Sequence, residues 1–381
     1  MKRLCWVLSY FLVAGVAILG FIIGMGGIDK PGKLEQLESI IEKYFIGEVD
    51  KTAIEDEAAF GMVDALGDQW SYYMTAQEYK SYQETMANAY VGVGIVIVQT
   101  DDGYFEIMKV EENGPAKEAG VAPGDVITAV EGQDVCKIPM ETVRDMVRGD
   151  QGTKVQLTLK RGDQTLQLQV QRRQIQTVVA SARMLESGLG LVTIENFDSR
   201  CAKETIAALE GLLEQGAKGI IFDVRFNPGG YQHELVQLLD YLLPEGPLFR
   251  SVDYAGNESV DSSDKNFLDI PMAVLINGGS YSAAEFFAAA LQEYEAAVVV
   301  GEPTTGKGYF QSAFELSDGS AAVISVGKYL TPKGVSLADT GLTPDIALEL
   351  EEQAYLDLYY DRLTPENDPQ IRAAEDVLLG K

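Results

Sequence analysis

The chain has 381 residues, enough for two or three domains of ordinary size and at least one sizeable core. Its 23% charged and 46% hydrophobic residues are ordinary for a folded protein and argue against long disorder. A formal net charge of −28 repels nucleic acid and anionic lipid headgroups, which excludes nucleic-acid binding as a main role; otherwise that charge serves solubility.

The first 30 residues stand apart. Lys2 and Arg3 precede an uncharged run from Leu4 to Ile28, closed by Asp29. As a helix this run would reach about 37 Å, enough to cross a hydrocarbon core of ~30 Å. The positive flank predicts a cytoplasmic N-terminus, with the rest of the chain outside the cytoplasm. A cleaved signal peptide is the alternative, but it would have a shorter apolar region and a small-x-small site, and no convincing site follows. The expectation is therefore a single-pass transmembrane anchor over 1–30.

Next comes a segment that reads as helical, Leu34 to about Ala89, with Leu34, Leu37, Ile40, Ile41 and Tyr44 at helical spacing. A loop rich in aromatic and polar residues, Gly67 to Tyr73, interrupts it. From Tyr90 the pattern changes to short strands: Val91–Val98, Phe105–Val110, Asp125–Val130, Lys154–Leu159 and Thr165–Val170. Helical signals there are confined to Ala116–Ala119 and Met140–Val147, so residues 90–172 read as a compact, mostly β module. From Arg173 strands and helices alternate: Leu189–Ile194, Ala202–Gln215, Ile220–Val224, Glu234–Leu243, Met272–Ile276, Ser282–Glu293 and Ala297–Val300. This is the pattern of an α/β core with a largely parallel sheet, whose functional residues gather in loops at the carboxyl ends of strands.

Cysteine and histidine usage narrows the chemistry. Cys5 lies in the apolar run, and Cys136 and Cys201 could pair but define no disulfide framework. With one histidine, His233, and no zinc spacing, no Cys/His metal site is expected. A Ser-His-Asp triad would have to use His233, at the start of a predicted helix, where a histidine is ordinarily a surface residue. A hydrolase built on this chain needs another base.

Three segments carry chemistry-bearing patterns. Gly301-Glu-Pro-Thr-Thr-Gly-Lys-Gly308 nearly spells a phosphate loop. However, Gly308 replaces the hydroxyl residue that would hold magnesium, and Tyr309 to Val326 alternates like a strand pair rather than a helix. Lys307 sits between glycines and, on an extended segment, would share a face with Gln311. Burial would lower its pKa from about 10.4, making a neutral amine able to take a proton from a hydroxyl; the bland alternative is an exposed lysine in a glycine turn. Asn277-Gly-Gly-Ser-Tyr-Ser-Ala-Ala-Glu285 follows a strand and opens an alanine-rich helix. That geometry presents a serine beside backbone N–H groups, although Ser282-x-x-Glu285 is equally a capping box. Asp223-Val-Arg-Phe-Asn-Pro-Gly-Gly230 runs from a buried strand into a tight turn that exposes further N–H groups.

Taken in order, these segments resemble the carboxyl-terminal processing (tail-specific) proteases of peptidase family S41. The family's D-[LV]-R-x-N-P-G-G turn matches Asp223–Gly230, its S-x-S-A-x-E motif matches Ser280–Glu285, and its G-E-x-T-x-G-K-G motif matches Gly301–Gly308. The resemblance implies Ser282 as nucleophile, Lys307 as general base, Gln311 as the residue orienting the lysine, and an oxyanion hole from Ala283 with Gly229 or Gly230. It implies no metal, nucleotide or other cofactor. The β module resembles the family's PDZ domain. Val91-Gly-Val-Gly-Ile95 looks like its carboxylate-binding loop, with Val93, Gly94 and Ile95 receiving a peptide's C-terminus. Arg148 matches an arginine that couples the PDZ domain to the protease in some relatives. The departures are Phe226 for asparagine, Ala284 for serine and Tyr281 for a small residue.

The implied architecture is an α/β core of ClpP/crotonase type over 173–381, an inserted PDZ domain over 90–172, a helical region over 31–89 and the anchor. The implied activity is cleavage of peptide bonds through an acyl-enzyme in proteins with exposed C-terminal tails, by a homodimer. The alternative from another class is a non-catalytic PDZ scaffold tethered to the membrane.

Overall fold

The computed structural model describes residues 32–111, 113–360 and 362–380. The expected anchor over 1–30 lies outside them. Among the described residues no helix is long and apolar enough to cross a membrane.

The chain divides near Met62 into two units. The first holds helix α1 (Lys33–Tyr44) and most of α2 (Lys51–Asp64). Glu35 in the first turn of α1 and Lys43 in its last oppose the ends of the helix dipole. No residue of α1 is buried; Leu34 and Leu37 are 50% exposed and Ile40 is 55% exposed.

The second unit begins with strand β1 (Tyr72–Met74) and helix α3 (Ala76–Met86). Thr75 and Glu78 close a capping box at the start of α3: the Thr75 amide donates to Glu78 Oε2 at 2.8 Å, and the Glu78 amide donates to Thr75 Oγ1.

The β module follows. Strand β2 (Ala89–Gly92) pairs antiparallel with β9 (Arg173–Gln176), bringing the module's two ends together. Between them lie β3 (Ile95–Gln99), β4 (Phe105–Val110), α4 (Pro115–Glu118), β5 (Val126–Val130), β6 (Gln133–Asp134), α5 (Met140–Val147), β7 (Lys154–Arg161) and β8 (Gln164–Gln171). The sheet order is β3-β4-β5-β7-β8, which leaves β3 on an edge. Strict alternation in β7 buries Val155, Leu157 and Leu159 completely. They pack with Phe105, Ile107 and Ile127 under Val143 and Val147 of α5, a core separate from that of the α/β region.

The α/β region is built from β10 (Ala180–Met184), β11 (Gly190–Ile194), α6 (Cys201–Glu214), β12 (Ile220–Asp223), α7 (Gln232–Leu242), β13 (Gly246–Asp253), β14 (Glu258–Ser263), β15 (Met272–Ile276), α8 (Ala283–Glu293), β16 (Ala297–Gly301), β17 (Tyr309–Glu315), β18 (Ala321–Leu330), β19 (Ile346–Ala347), α9 (Glu352–Tyr359) and α10 (Pro369–Leu378). Its main sheet has the order β10-β11-β12-β15-β16-β19. All neighbours are parallel except the edge strand β10. Every residue of β12 and β15 is buried, as expected where both faces of a parallel sheet are covered. Phe222, Val274 and Ile276 join the core with helices α6, α7 and α8, while Ile221, Ala273 and Leu275 face Ile371 and Ala374 of α10. A second, antiparallel sheet has the order β1-β18-β13-β14, with β17 on β18.

The α/β alternation, the small β module and the helical lead-in agree with the sequence. Strands β10 and β14 carry almost no sequence signal. The first reads Ala-Ser-Ala-Arg-Met on a sheet edge, and the second is Glu-Ser-Val-Asp-Ser-Ser; pairing, not propensity, makes them strands.

Candidate active site

Strands β12, β15 and β16 are direct neighbours, with Asp223 opposite Leu275 and Ile276 opposite Gly301. Their carboxyl ends therefore lie side by side, and the three motif loops leave from one edge of the sheet. This adjacency is why segments spread from residue 223 to residue 308 meet.

The first loop is held by its own side chains. Asn227 Nδ2 donates to Ile194 O at 2.7 Å, and the Gly229 amide donates to Asn227 Oδ1 at 2.8 Å. The Gly229 amide is thus already engaged, whereas neither the Gly230 nor the Ala283 amide meets a protein acceptor among the described residues. A Cβ on Gly229 would come within 2.7 Å of Ser282 Cβ and 2.8 Å of the Ala283 nitrogen, so only glycine lets this turn press against the second loop. Phe226 adopts φ +59, a conformation that asparagine adopts more readily than phenylalanine. Edge-on packing of its ring at 5.3 Å from Tyr355 and 5.4 Å from Tyr359 holds it there.

In the second loop, Ser280 is fully buried and its hydroxyl donates to Val224 O at 2.7 Å, a structural role. Ser282 caps α8 with φ +58 and ψ −125. A non-glycine residue there carries about 1–3 kcal/mol of strain, which persists only where the surroundings enforce it. Gly230, Ser282, Ala283, Leu235, Phe249 and Tyr329 line a narrow crevice. The Ser282 hydroxyl is a hydrogen-bonding neighbour of the Tyr329 phenol, whose burial pushes its pKa well above the ordinary value.

Glu285 joins the second loop to the third. Wholly buried, its carboxylate accepts from the Ser282 amide (2.8 Å), the Gly306 amide (2.6 Å), the Lys307 amide (2.9 Å) and the Thr304 hydroxyl (2.5 Å). The glutamate expected as a helix cap is therefore also the strut that fixes Lys307 relative to Ser282. Gly306 at φ +87 and Gly308, whose Cβ would meet Ala338 at 2.5 Å, give this loop a path no other residues could take.

The Lys307 ammonium lies 5.0 Å from the centroid of the Trp70 ring and 5.8 Å from that of Tyr281. Burial lowers its pKa below the ordinary lysine value, outweighing the opposing pull of Glu285 and Asp68. Trp70 arrives on the loop before β1, which pairs with β18. Burial also acts on Asp68, but hydrogen bonds from Ser325, Ser71 and the Trp70 amide hold it below the usual carboxylate value.

Gln311 departs from expectation. β17 starts at Tyr309, so Lys307 precedes the strand, and a register shift falls between Phe310 and Gln311. The two-residue alternation that would place Lys307 and Gln311 on one face does not run through such a bulge. The Gln311 amide nitrogen donates to Ser325 Oγ at 3.1 Å and Tyr309 O at 3.2 Å, and no hydrogen bond joins it to Lys307. His233 is exposed and stacks on Tyr231 at 5.2 Å, and no hydrogen bond joins it to Ser282.

In the β module, Val93, Gly94 and Ile95 line a groove between β3 and α5. Arg148 Nη1 lies 3.5 Å from Glu84 Oε2 on α3, and its guanidinium stacks over Tyr90 at 5.1 Å. The arginine thus links the module to α3 rather than touching the three loops directly. The sequence noted the aromatic loop Gly67–Tyr73 without assigning it a role; nothing local shows that Trp70 covers the lysine, or that Tyr329 reaches the serine from β18.

A model of peptidase family S41 matches residues 188–348, and a PDZ domain model matches residues 106–161. The carboxy-terminal processing protease CtpA of Bacillus subtilis is 32% identical over 97% of this chain and 81% of its own length. The carboxyl-terminal-processing protease of Synechocystis is 34% identical over 86% of this chain and 77% of its own. A putative S41 protease from Bacteroides fragilis shares the fold, with a TM-score of 0.51 and 17% identity over 83% of this chain and 87% of its own. The chain belongs to peptidase family S41, and it is a serine-type C-terminal processing peptidase carrying a PDZ domain.

Proposed function

We propose that the protein cleaves peptide bonds by a Ser-Lys-Gln mechanism, with Ser282 as nucleophile and Lys307 as its base. The observation that carries this is the Glu285 carboxylate. It binds the backbone of both residues, tying a buried lysine of lowered pKa and a strained serine at a helix N-terminus to one carboxylate. Neutral Lys307 takes the Ser282 proton as the oxygen attacks the scissile carbonyl. The Gly230 and Ala283 amides receive the oxyanion, and Gly229 shapes the turn. The lysine then gives its proton to the leaving amine, and water attacks the acyl-enzyme by the reverse route. Gln311 orients the lysine after its amide leaves Ser325.

The PDZ groove captures the substrate's C-terminal tail, with the Val93 and Gly94 amides meeting no acceptor among the described residues and so placed to receive a carboxylate. Arg148, through Glu84 and Tyr90, conveys the module's position to α3. Placement outside the cytoplasm, on a membrane anchor, rests on Lys2, Arg3 and the run Leu4–Ile28. Self-association rests on the exposed apolar side chains of α1.

Hydrolysis of an unfolded protein such as casein by the purified enzyme tests the assignment. Ser282→Ala and Lys307→Met are each expected to lower kcat/KM by about 10³-fold or more, with His233→Ala within about twofold of the parent. Equal cleavage by all four proteins would leave a tethered PDZ scaffold as the better account.

A further inference from the structure

Among the described residues the PDZ groove has a direction and one available cation, and together they specify the tail it takes. Helix α5 runs antiparallel to β3. Near its start, Ile138 O accepts from Gln99 Nε2 at 3.4 Å, at the far end of β3. At its other end, Val147 O accepts from Arg172 Nε at 2.9 Å, beside Arg173, which pairs with Gly92. The loop Gly92–Ile95 therefore faces Val147, and Gln99 faces the first turn of α5. Among the described residues β3 is paired on one side alone, so its free edge accepts an added strand.

A tail laid on that edge with its terminal carboxylate at the Val93 and Gly94 amides points its last side chain toward Val147. Its next groove-facing side chain belongs to the residue two before the end, about 6.6 Å further along. Three residues back from Val147 along α5, a step of about 4.5 Å, stands Arg144, whose long side chain lines the same groove. Arg144 is nearly half exposed, and its partner is the adjacent, equally exposed Asp145, with Nε 3.3 Å from Oδ1. Such an exposed surface pair contributes little, so an incoming carboxylate can replace it. Arg148, by contrast, is occupied by Glu84 and Tyr90. The remaining wall is apolar: Val93, Ile95, Ile97, Met140 and Val147.

We propose that Arg144 makes this groove select protein tails with an apolar last residue and an aspartate or glutamate two residues before it. The proposal rests on the tail capture put forward above and adds the chemical class of the tail. On a chain of net charge −28, an arginine in the groove offsets a background that would otherwise repel acidic tails.

The test uses the full chain bearing Ser282→Ala, so that peptides stay intact, and fluorescence anisotropy with ten-residue peptides ending in valine. The peptides differ only at the third residue from the end, Glu or Lys, and each is made as free acid and as C-terminal amide. The Glu peptide is expected to bind about tenfold more tightly than the Lys peptide at low salt, with the gap narrowing as salt rises. Arg144→Glu should reverse the preference, and Arg144→Gln should abolish it while retaining free-acid binding. Equal binding of Glu and Lys peptides, with the free acid still preferred over the amide, overturns the role of Arg144 and leaves tail capture standing. Equal binding of acid and amide overturns tail capture itself, and the Arg144 proposal with it.

Discussion

Lys307 shows how much of the chemistry rests on single contacts. Its backbone is fixed by Glu285, but its charge state depends on burial, and the rings of Trp70 and Tyr281 lie beside its ammonium. Trp70→Ala would admit water, raise the lysine pKa toward the ordinary value of about 10.4 and leave more of it protonated at neutral pH. The acid limb of the kcat/KM–pH profile is then expected to move to higher pH, with activity at pH 7 falling about tenfold. An unmoved limb would show that the tryptophan does not set the base's pKa. The sequence makes Lys307 a candidate and cannot supply this cover, because Trp70 is more than 230 positions away and arrives through the pairing of β1 with β18.

At the scale of elements, the site depends on β12, β15 and β16 being adjacent and in register. Their motifs are legible as sequence, and so is the α/β alternation, because continuous apolar runs such as Met272–Ile276 mark fully buried strands. The tie to the C-terminal helix is not legible. Arg225, at the end of β12, is buried and meets Asp223 at 2.5 Å, Asp368 at 2.8 Å and Gln370 at 2.8 Å, the latter two at the start of α10. Burial alone would lower the guanidinium pKa, but the two aspartates more than offset it. Arg225→Leu would leave Asp223 and Asp368 buried without their cation and is expected to destabilise the fold by about 3–5 kcal/mol, read as a lowered urea midpoint. Restoring neutrality with Asp368→Asn in the same chain should recover part of that loss. An unchanged midpoint in the single variant would mean that α10 does not depend on this ion cluster.

For the whole molecule, the acidic balance and one buried carboxyl bear on the same property. Asp198 is 4% exposed, and its Oδ1 has no hydrogen-bond partner. Burial, and then the charge of Glu234, push its pKa up to about 7. The folded state holds this proton up to about pH 7, while the unfolded chain releases it near pH 4. Between these values the native state binds more protons than the unfolded one, so stability falls as pH rises, by at most about 4 kcal/mol across the window. Repulsion within a chain of charge −28 acts in the same direction. Asp198→Asn is expected to flatten the decline in Tm from pH 5 to pH 8; an undiminished slope would assign the pH dependence to general repulsion alone.

The sequence by itself determined the α/β class, the PDZ-like module and the choice of Ser282 and Lys307 as candidates. These rest on local periodicity and on short motifs whose glycines allow one backbone path. Tertiary structure decided which amides of the turn meet no acceptor among the described residues, that Gln311 points to Ser325, and that Trp70, Tyr329 and Asp368 pack around or behind these loops. Each of these depends on which strands become neighbours, a choice made by burying both faces of the sheet and not by any residue's own preference.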